Sequence, residues 1–229
     1  MIKEYKGNIF TTKAQTIVNT INCVGVMGAG IAYEFRLRYP EMFEKYQQHC
    51  TDKSISIGKL WLYKAQDRYI LNFPTKNHWK LPSEEKYIKQ GLENFLKTYK
   101  QRGITSVAFP LLGADRGGLD PDKVISLMKN YLQNCDIDIE IWHFDPYASD
   151  DLYQSFKEEF FSVDDEKIKK ESKIRVDLVK KIKDAFARED INSMSGLLRI
   201  DGIGDKTLEK AFKYVKSQKK EALNLFSHF

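Results

Sequence analysis

The sequence predicts an α/β domain, a mixed or parallel sheet with helices on both faces, followed by a small all-α C-terminal domain. Three observations carry that expectation. Strand-like and helix-like segments alternate from residue 1 to 146, the strands are β-branched or apolar runs, and no strand-like run follows Tyr147. A chain of 229 residues, 42% apolar and 30% charged, suits one or two packed domains, and the change of pattern sets them at 1–148 and 149–229.

The elements follow in order. Gln15-Thr16-Ile17-Val18-Asn19 is a strand, and glycine-rich sequence leads from it into a helix over Ile31–Tyr39 that Pro40 stops. Lys59–Tyr63 and Tyr69–Phe73 are two further strands with Asp67 and Arg68 in their turn. Ser83 caps the next helix, which turns Ile88, Leu92, Phe95, Leu96 and Tyr99 to one face and ends at Gly103. Ile104–Phe109 is a buried strand, and a loop from Leu111 to Leu119 reaches Asp120-Pro121, an N-cap with proline at the first helical position. Ile137–Trp142 closes the series as an alternating strand. From Leu152 to Phe229 the pattern is helical, with Asp164–Lys167 as a linker or a helix start.

Composition narrows the function classes. The net charge of +5 is uneven: residues 167–229 hold 16 Lys+Arg against 9 Asp+Glu, so the tail is basic and fits an anionic partner. No apolar run approaches the ~20 residues that cross a bilayer, and the opening residues lack a secretion signal, so a cytoplasmic chain with no membrane partner is expected. Three widely spaced cysteines make neither a disulfide framework nor a zinc site, and His49 and Cys50 lack metal-ligand spacing; no metal and no cofactor are expected.

Two glycine loops carry the chemistry. Asn19-Thr20-Ile21-Asn22-Cys23-Val24-Gly25-Val26-Met27-Gly28-Ala29-Gly30-Ile31-Ala32 joins a buried strand to a helix N-terminus, where free N–H groups can meet an anion. It is neither a dinucleotide fingerprint nor an NTPase P-loop. Phe109-Pro110-Leu111-Leu112-Gly113-Ala114-Asp115-Arg116-Gly117-Gly118-Leu119-Asp120 repeats the arrangement. Both loops belong at the carboxyl ends of strands, where open α/β sheets bind ligands, and together they can hold a diphosphate. The plain alternative is a pair of tight strand–helix turns.

With these loops, and with the opening Lys6-Gly7-Asn8-Ile9-Phe10, Ala14 and Ile17-Val18-Asn19, residues 1–146 resemble the macrodomain family, which binds ADP-ribose. The resemblance implies a macrodomain-like mixed sheet. It also implies ligand contacts from Asn8, Ile9, Asn19, Asn22, Gly25, Met27, Gly28, Ala29, Gly30, Ile31, Thr75, Gly113, Ala114, Arg116, Gly117, Gly118 and Leu119. At Asn8 the family often has an acidic residue that accepts a bond from the adenine amino group, a bond the amide oxygen can also accept. Asn19–Ala32 and Asn72-Phe73-Pro74-Thr75-Lys76-Asn77-His78-Trp79 look most like the DarG-type DNA ADP-ribosyl glycohydrolases, antitoxins that reverse DNA modification by DarT toxins. In such relatives the lysine of the Thr-Lys pair is catalytic, which implies Lys76. The related animal enzyme also uses an aspartate in the second loop; this chain has Gly117 there, and Asp115 does not simply inherit the role.

The expected activity is therefore removal of ADP-ribose from a modified DNA base by a monomer, ADP-ribose being part of the substrate and a product. The alternatives are hydrolysis of ADP-ribosyl esters on proteins and non-catalytic reading of ADP-ribose. Lys76 could protonate the leaving base or, as a neutral amine, attack the anomeric carbon. Asn22 is expected to hold the distal ribose or else to cap its own loop. Trp79 is a stacking platform for a nucleotide or else a half-buried core residue. Cys23, among apolar neighbours, reads as inert. In the tail, Leu197–Ala211 resembles a helix-hairpin-helix motif, implying DNA phosphate contacts at Gly202 and Gly204 with Lys206 and Lys210 adding attraction. A DarT-like toxin is the other partner considered for this tail.

Overall fold

The computed structural model describes residues 1–226, with side chains through 218; the last three residues of the expected helical region lie outside the described residues. The chain divides into two compact units, Met1–Phe144 and Asp145–Phe229.

The first unit is a six-stranded mixed sheet in the order β1-β6-β5-β2-β4-β3. Its strands are β1 (Ile2–Gly7), β2 (Thr16–Asn22), β3 (Trp61–Lys64), β4 (Tyr69–Lys76), β5 (Ser106–Pro110) and β6 (Asp138–Phe144). All pairings are parallel except β3 with β4, so β2, β4 and β5 end at the same edge of the sheet. Consecutive residues of the central strands face opposite layers. Val18, Leu71, Val107 and Phe109 pack with α3 (Glu85–Thr98) and α4 (Pro121–Leu132), while Ile17, Ile70 and Ala108 pack with α1 (Gly30–Arg38) and α2 (Pro40–Thr51). Burial on both faces is why these strands read as apolar runs rather than as alternation.

Several expectations change at the element ends. β1 escaped the sequence reading because it is a sheet edge with four of its six residues exposed, leaving no apolar period to detect. Pro40 ends α1 as expected but also opens α2 from the first helical position, where a missing N–H costs nothing. Asp120 accepts the Lys123 N–H as the expected cap of α4. Ser83 does not cap α3: Glu84 holds the N-cap position and no side chain bonds there.

The second unit contains α5 (Tyr153–Ser162), α6 (Asp165–Ser172), α7 (Val176–Ala185), a five-residue 3-10 turn (Ser195–Arg199) and α8 (Asp205–Phe226). Asp164 is a helix start, its carboxylate accepting the Lys167 N–H of α6. Phe156, Phe160, Ile168, Val179, Ile182, Leu197, Leu208 and Phe212 are fully buried and form an aliphatic–aromatic core, with Phe156 and Phe160 rings 4.2 Å apart. No helix among the described residues is long and apolar enough to cross a membrane.

Candidate active site

Because β2, β4 and β5 run parallel, the three segments that follow them meet at one end of the sheet. They are the first glycine loop after Asn22, the segment after Lys76, and the second glycine loop after Pro110. The Cys23 N–H donates to the Asn77 carbonyl at 3.3 Å, joining the first two. The loops also meet each other: Gly30, with φ +56°, lies so close to Asp115 and Arg116 that a Cβ there would sit 3.7 Å from Asp115 Oδ2 and 3.6 Å from Arg116 Cγ.

A bulge aims Lys76. Ile21 pairs with Pro74 and Asn22 with Lys76, so Thr75 is an extra residue in β4. Pro74 has no N–H to give the ladder, which favours an irregularity here. The bulge sets Lys76 opposite Asn22, and its ammonium donates to the main-chain carbonyl of Arg116 in the second loop. Lys76 is half-buried and Thr75 is buried. The expected catalytic residue thus stands between both glycine loops.

The loops hold their shape by different means. In the first, Asn22 Oδ1 accepts the N–H groups of Val24 at 3.0 Å and Val26 at 3.3 Å, and Nδ2 donates to the Val26 carbonyl at 2.5 Å. The Tyr46 hydroxyl donates to the Asn22 carbonyl at 2.8 Å. Asn22 therefore braces its own loop, the alternative role expected of it, with one of its two Nδ2 hydrogens engaged by Val26. Asn19 is turned inward. Its side chain is fully buried, donating to Asn72 Oδ1 at 2.8 Å beside the Met27 sulfur, so it supports the loop from beneath. The Met27 side chain is buried too, leaving its backbone for a ligand. Among the described residues, the N–H groups of Met27, Gly28 and Ile31 in this loop have no protein acceptor, nor do those of Asp115, Arg116 and Gly117 in the second. Unpaired backbone donors at the start of a helix and in a glycine loop suit an anion.

In the second loop Gly113 has φ +74° and Gly118 φ +79°. The Leu119 N–H closes back on the Gly113 carbonyl at 3.0 Å. A side chain at Gly117 is excluded, because its Cβ would fall 2.1 Å from the Gly113 carbonyl oxygen. No carboxylate can stand at this position with this backbone, so position 117 offers Lys76 no acidic partner. Ala114 is half-buried and Arg116 exposed, consistent with a rim position.

Toward β1, Asn8 is buried and its Oδ1 accepts the Phe10 N–H at 3.0 Å, capping the short 3-10 turn Ile9–Thr11. The oxygen expected to read the adenine amino group is thus already bonded, and only its second lone pair remains for a base. Trp79 is 48% exposed, so it is not a core residue. The His78 ring stacks on it at 5.8 Å and the Lys80 ammonium lies 5.1 Å from its centroid. Burial, with Cys50 nearby, pushes the Cys23 thiol up to about 11, which keeps it protonated and unreactive near neutral pH.

In the second unit Gly202 has φ +84° in the turn before α8, and Lys206 and Gly204 are exposed. The element before the turn is 3-10 rather than α-helical. Lys210 donates to the Lys173 carbonyl at 2.6 Å, at the C-terminal end of α6. Lys181, which sequence reading passed over, donates to the Asp201 carbonyl at 3.1 Å beside Gly202.

A mixed sheet whose parallel strand ends carry two glycine loops around one lysine defines a class, and the sequence comparison agrees with it. The sequence model of the Macro domain family matches residues 18–128, and the chain belongs to the macrodomain family. Within the family it is similar to DarG macrodomains. That of Mycobacterium tuberculosis DarG is 40% identical over 62% of this chain and 97% of its own, with a TM-score of 0.60. That of Thermus aquaticus DarG is 35% identical over 64% and 99%, with a TM-score of 0.59. The Mycobacterium tuberculosis DNA ADP-ribosyl glycohydrolase is 40% identical over 147 residues, and the match spans only 42% of its length. A Thermosipho africanus relative, 35% identical over 60% of this chain and 40% of its own length, is a fusion of a DNA ADP-ribosyl transferase with a DNA ADP-ribosyl glycohydrolase.

Proposed function

We propose that this chain is a DNA ADP-ribosyl glycohydrolase, hydrolysing the N-glycosidic bond between ADP-ribose and a DNA base, with Lys76 as the catalytic residue. The observation that carries the reading is the Lys76 ammonium, aimed by a bulge into the space between two loops of unpaired N–H groups. The loops take the diphosphate, which leaves the distal ribose to extend toward the lysine. As the C–N bond breaks, the ammonium gives a proton to the base nitrogen. Water adds hydroxide to the anomeric carbon and its remaining proton restores the ammonium. Substrate DNA would cross the mouth at Trp79, and the exposed Gly202–Lys206 turn would give the second unit a phosphate contact.

The fused Thermosipho relative favours a DarT-like ADP-ribosyltransferase as the counterpart whose product this enzyme reverses. The proposal also keeps the chain cytoplasmic and monomeric.

Two substrates offered side by side test the reaction: an oligonucleotide carrying base-linked ADP-ribose and a protein carrying ester-linked ADP-ribose. Release from the oligonucleotide is expected. Release only from the protein would assign the site to ester hydrolysis, and binding of ADP-ribose without release from either would make it a reader. For the tail, Lys206→Ala is expected to weaken binding to unmodified DNA alike across sequences. Its log–log salt slope should fall by about 1, as for loss of one phosphate contact. An unchanged slope would remove this contact.

A further inference from the structure

The two glycine loops differ in how they are braced, and the difference points to a residue with no role so far. Asn22 holds the first loop through three bonds to the backbone of Val24 and Val26. Beneath the second loop lies Ser83, only 5% exposed. Its main-chain N–H donates to the Gly117 carbonyl at 2.9 Å, yet its hydroxyl has no hydrogen-bond partner among the described residues. It does not cap α3, where Glu84 takes the N-cap position.

The hydroxyl is wedged against the loop. A Cβ built on Gly117 would fall 2.4 Å from Ser83 Oγ, and one built on Gly113 would fall 3.1 Å from it. Both glycines therefore press their backbone onto this one oxygen. A buried hydroxyl without a partner is a standing cost that alanine would not carry, and native proteins seldom leave one in place. The groups nearest to it belong to the loop whose Asp115, Arg116 and Gly117 N–H groups await an anion.

We propose that Ser83 is a positioning residue whose buried hydroxyl bonds the second glycine loop only when that loop closes on the ligand's diphosphate. The inference rests on the reading of this loop as the diphosphate cradle. Its Gly113 carbonyl, adjacent to the Gly117 Cα, is the acceptor within reach of a small movement. A bond made in the bound state and absent from the free one adds its whole contribution to affinity, because only differential contacts shift the equilibrium. The unpaired Oγ would thus convert diphosphate binding into a fixed loop, and with it a fixed Arg116 carbonyl under the Lys76 ammonium.

The test uses the full chain, Ser83→Ala, and two readouts with ADP-ribose as the probe. Thermal unfolding of the ligand-free variant should match or exceed the wild type, since no bond is lost and a buried unpaired hydroxyl is removed. Calorimetric titration should show binding about tenfold weaker, as for one hydrogen bond lost from the complex. A lower ligand-free Tm would mean that the hydroxyl is already bonded in the resting protein, and the proposal would fail. Unchanged affinity beside a wild type that binds would also overturn it, leaving the cradle intact. A wild-type chain that does not bind ADP-ribose would overturn the cradle reading and this inference with it.

Discussion

Lys76→Ala is expected to lower the rate of ADP-ribose release from a modified oligonucleotide by about 10²–10⁴-fold, the usual contribution of a positioned proton donor. Binding of free ADP-ribose should change little, because the backbone N–H groups proposed to hold the diphosphate belong to the two glycine loops and not to Lys76. The fold should tolerate the change: Lys76 is half-buried and its ammonium bonds the Arg116 carbonyl, a contact with a net worth of about 1 kcal/mol. Single-turnover kinetics beside calorimetry separates the two effects. Loss of turnover with retained binding fits the assignment, whereas undiminished turnover would move the chemistry elsewhere. Lys76→Arg sharpens the result, since arginine keeps the charge but neither gives up a proton readily nor attacks carbon.

The largest effect on stability is expected in the core beneath the site. Gly91 lies in α3 directly over Phe73 of β4, and a Cβ there would fall 2.0 Å and 2.3 Å from two atoms of the ring. Phe73 is fully buried between helix and sheet and has nowhere to retreat. Gly91→Ala should therefore cost about 3 kcal/mol, the upper end of ordinary overpacking. That corresponds to a drop of about 6–12 °C in the Tm of the first unit. The helix propensity of alanine acts in the opposite direction but contributes only about 1 kcal/mol. A Tm within a degree or two of wild type would mean that α3 shifts off the sheet at little cost. Because Phe73 stands three residues before Lys76 on the same strand, activity near the melting range should fall with it.

What the sequence made legible follows from how local each signal is. The apolar runs of β2, β4 and β5, the face of α3 and the Asp120-Pro121 start of α4 are short-range patterns, and each appears in the structure. So are the two glycine loops and the Thr75-Lys76 pair, which therefore point to the site. Features created by tertiary contact left no such mark. β1 is a polar edge strand recognisable only by its pairing with β6. Pro40 both stops one helix and starts the next, and sequence shows the stop more clearly. Asn19 and Asn22 flank the glycines, and only the fold shows that the Asn19 amide bonds Asn72 and that Asn22 braces its own loop. Ser83, placed before two glutamates, imitates a cap; only the packing of Gly113 and Gly117 reveals its true neighbours.

The bulge at Thr75 has a broader consequence. Were the pairing regular, Thr75 would stand opposite Asn22 and the amine would project to the other side of the sheet. Changes that mend the ladder at this point, such as giving position 74 a β-branched residue with an N–H, would strengthen the strand while turning the lysine away. Selection of variants for heat resistance alone would then favour molecules that melt later and no longer work. The defect in the strand is the part of this protein that robustness screening is most apt to erase.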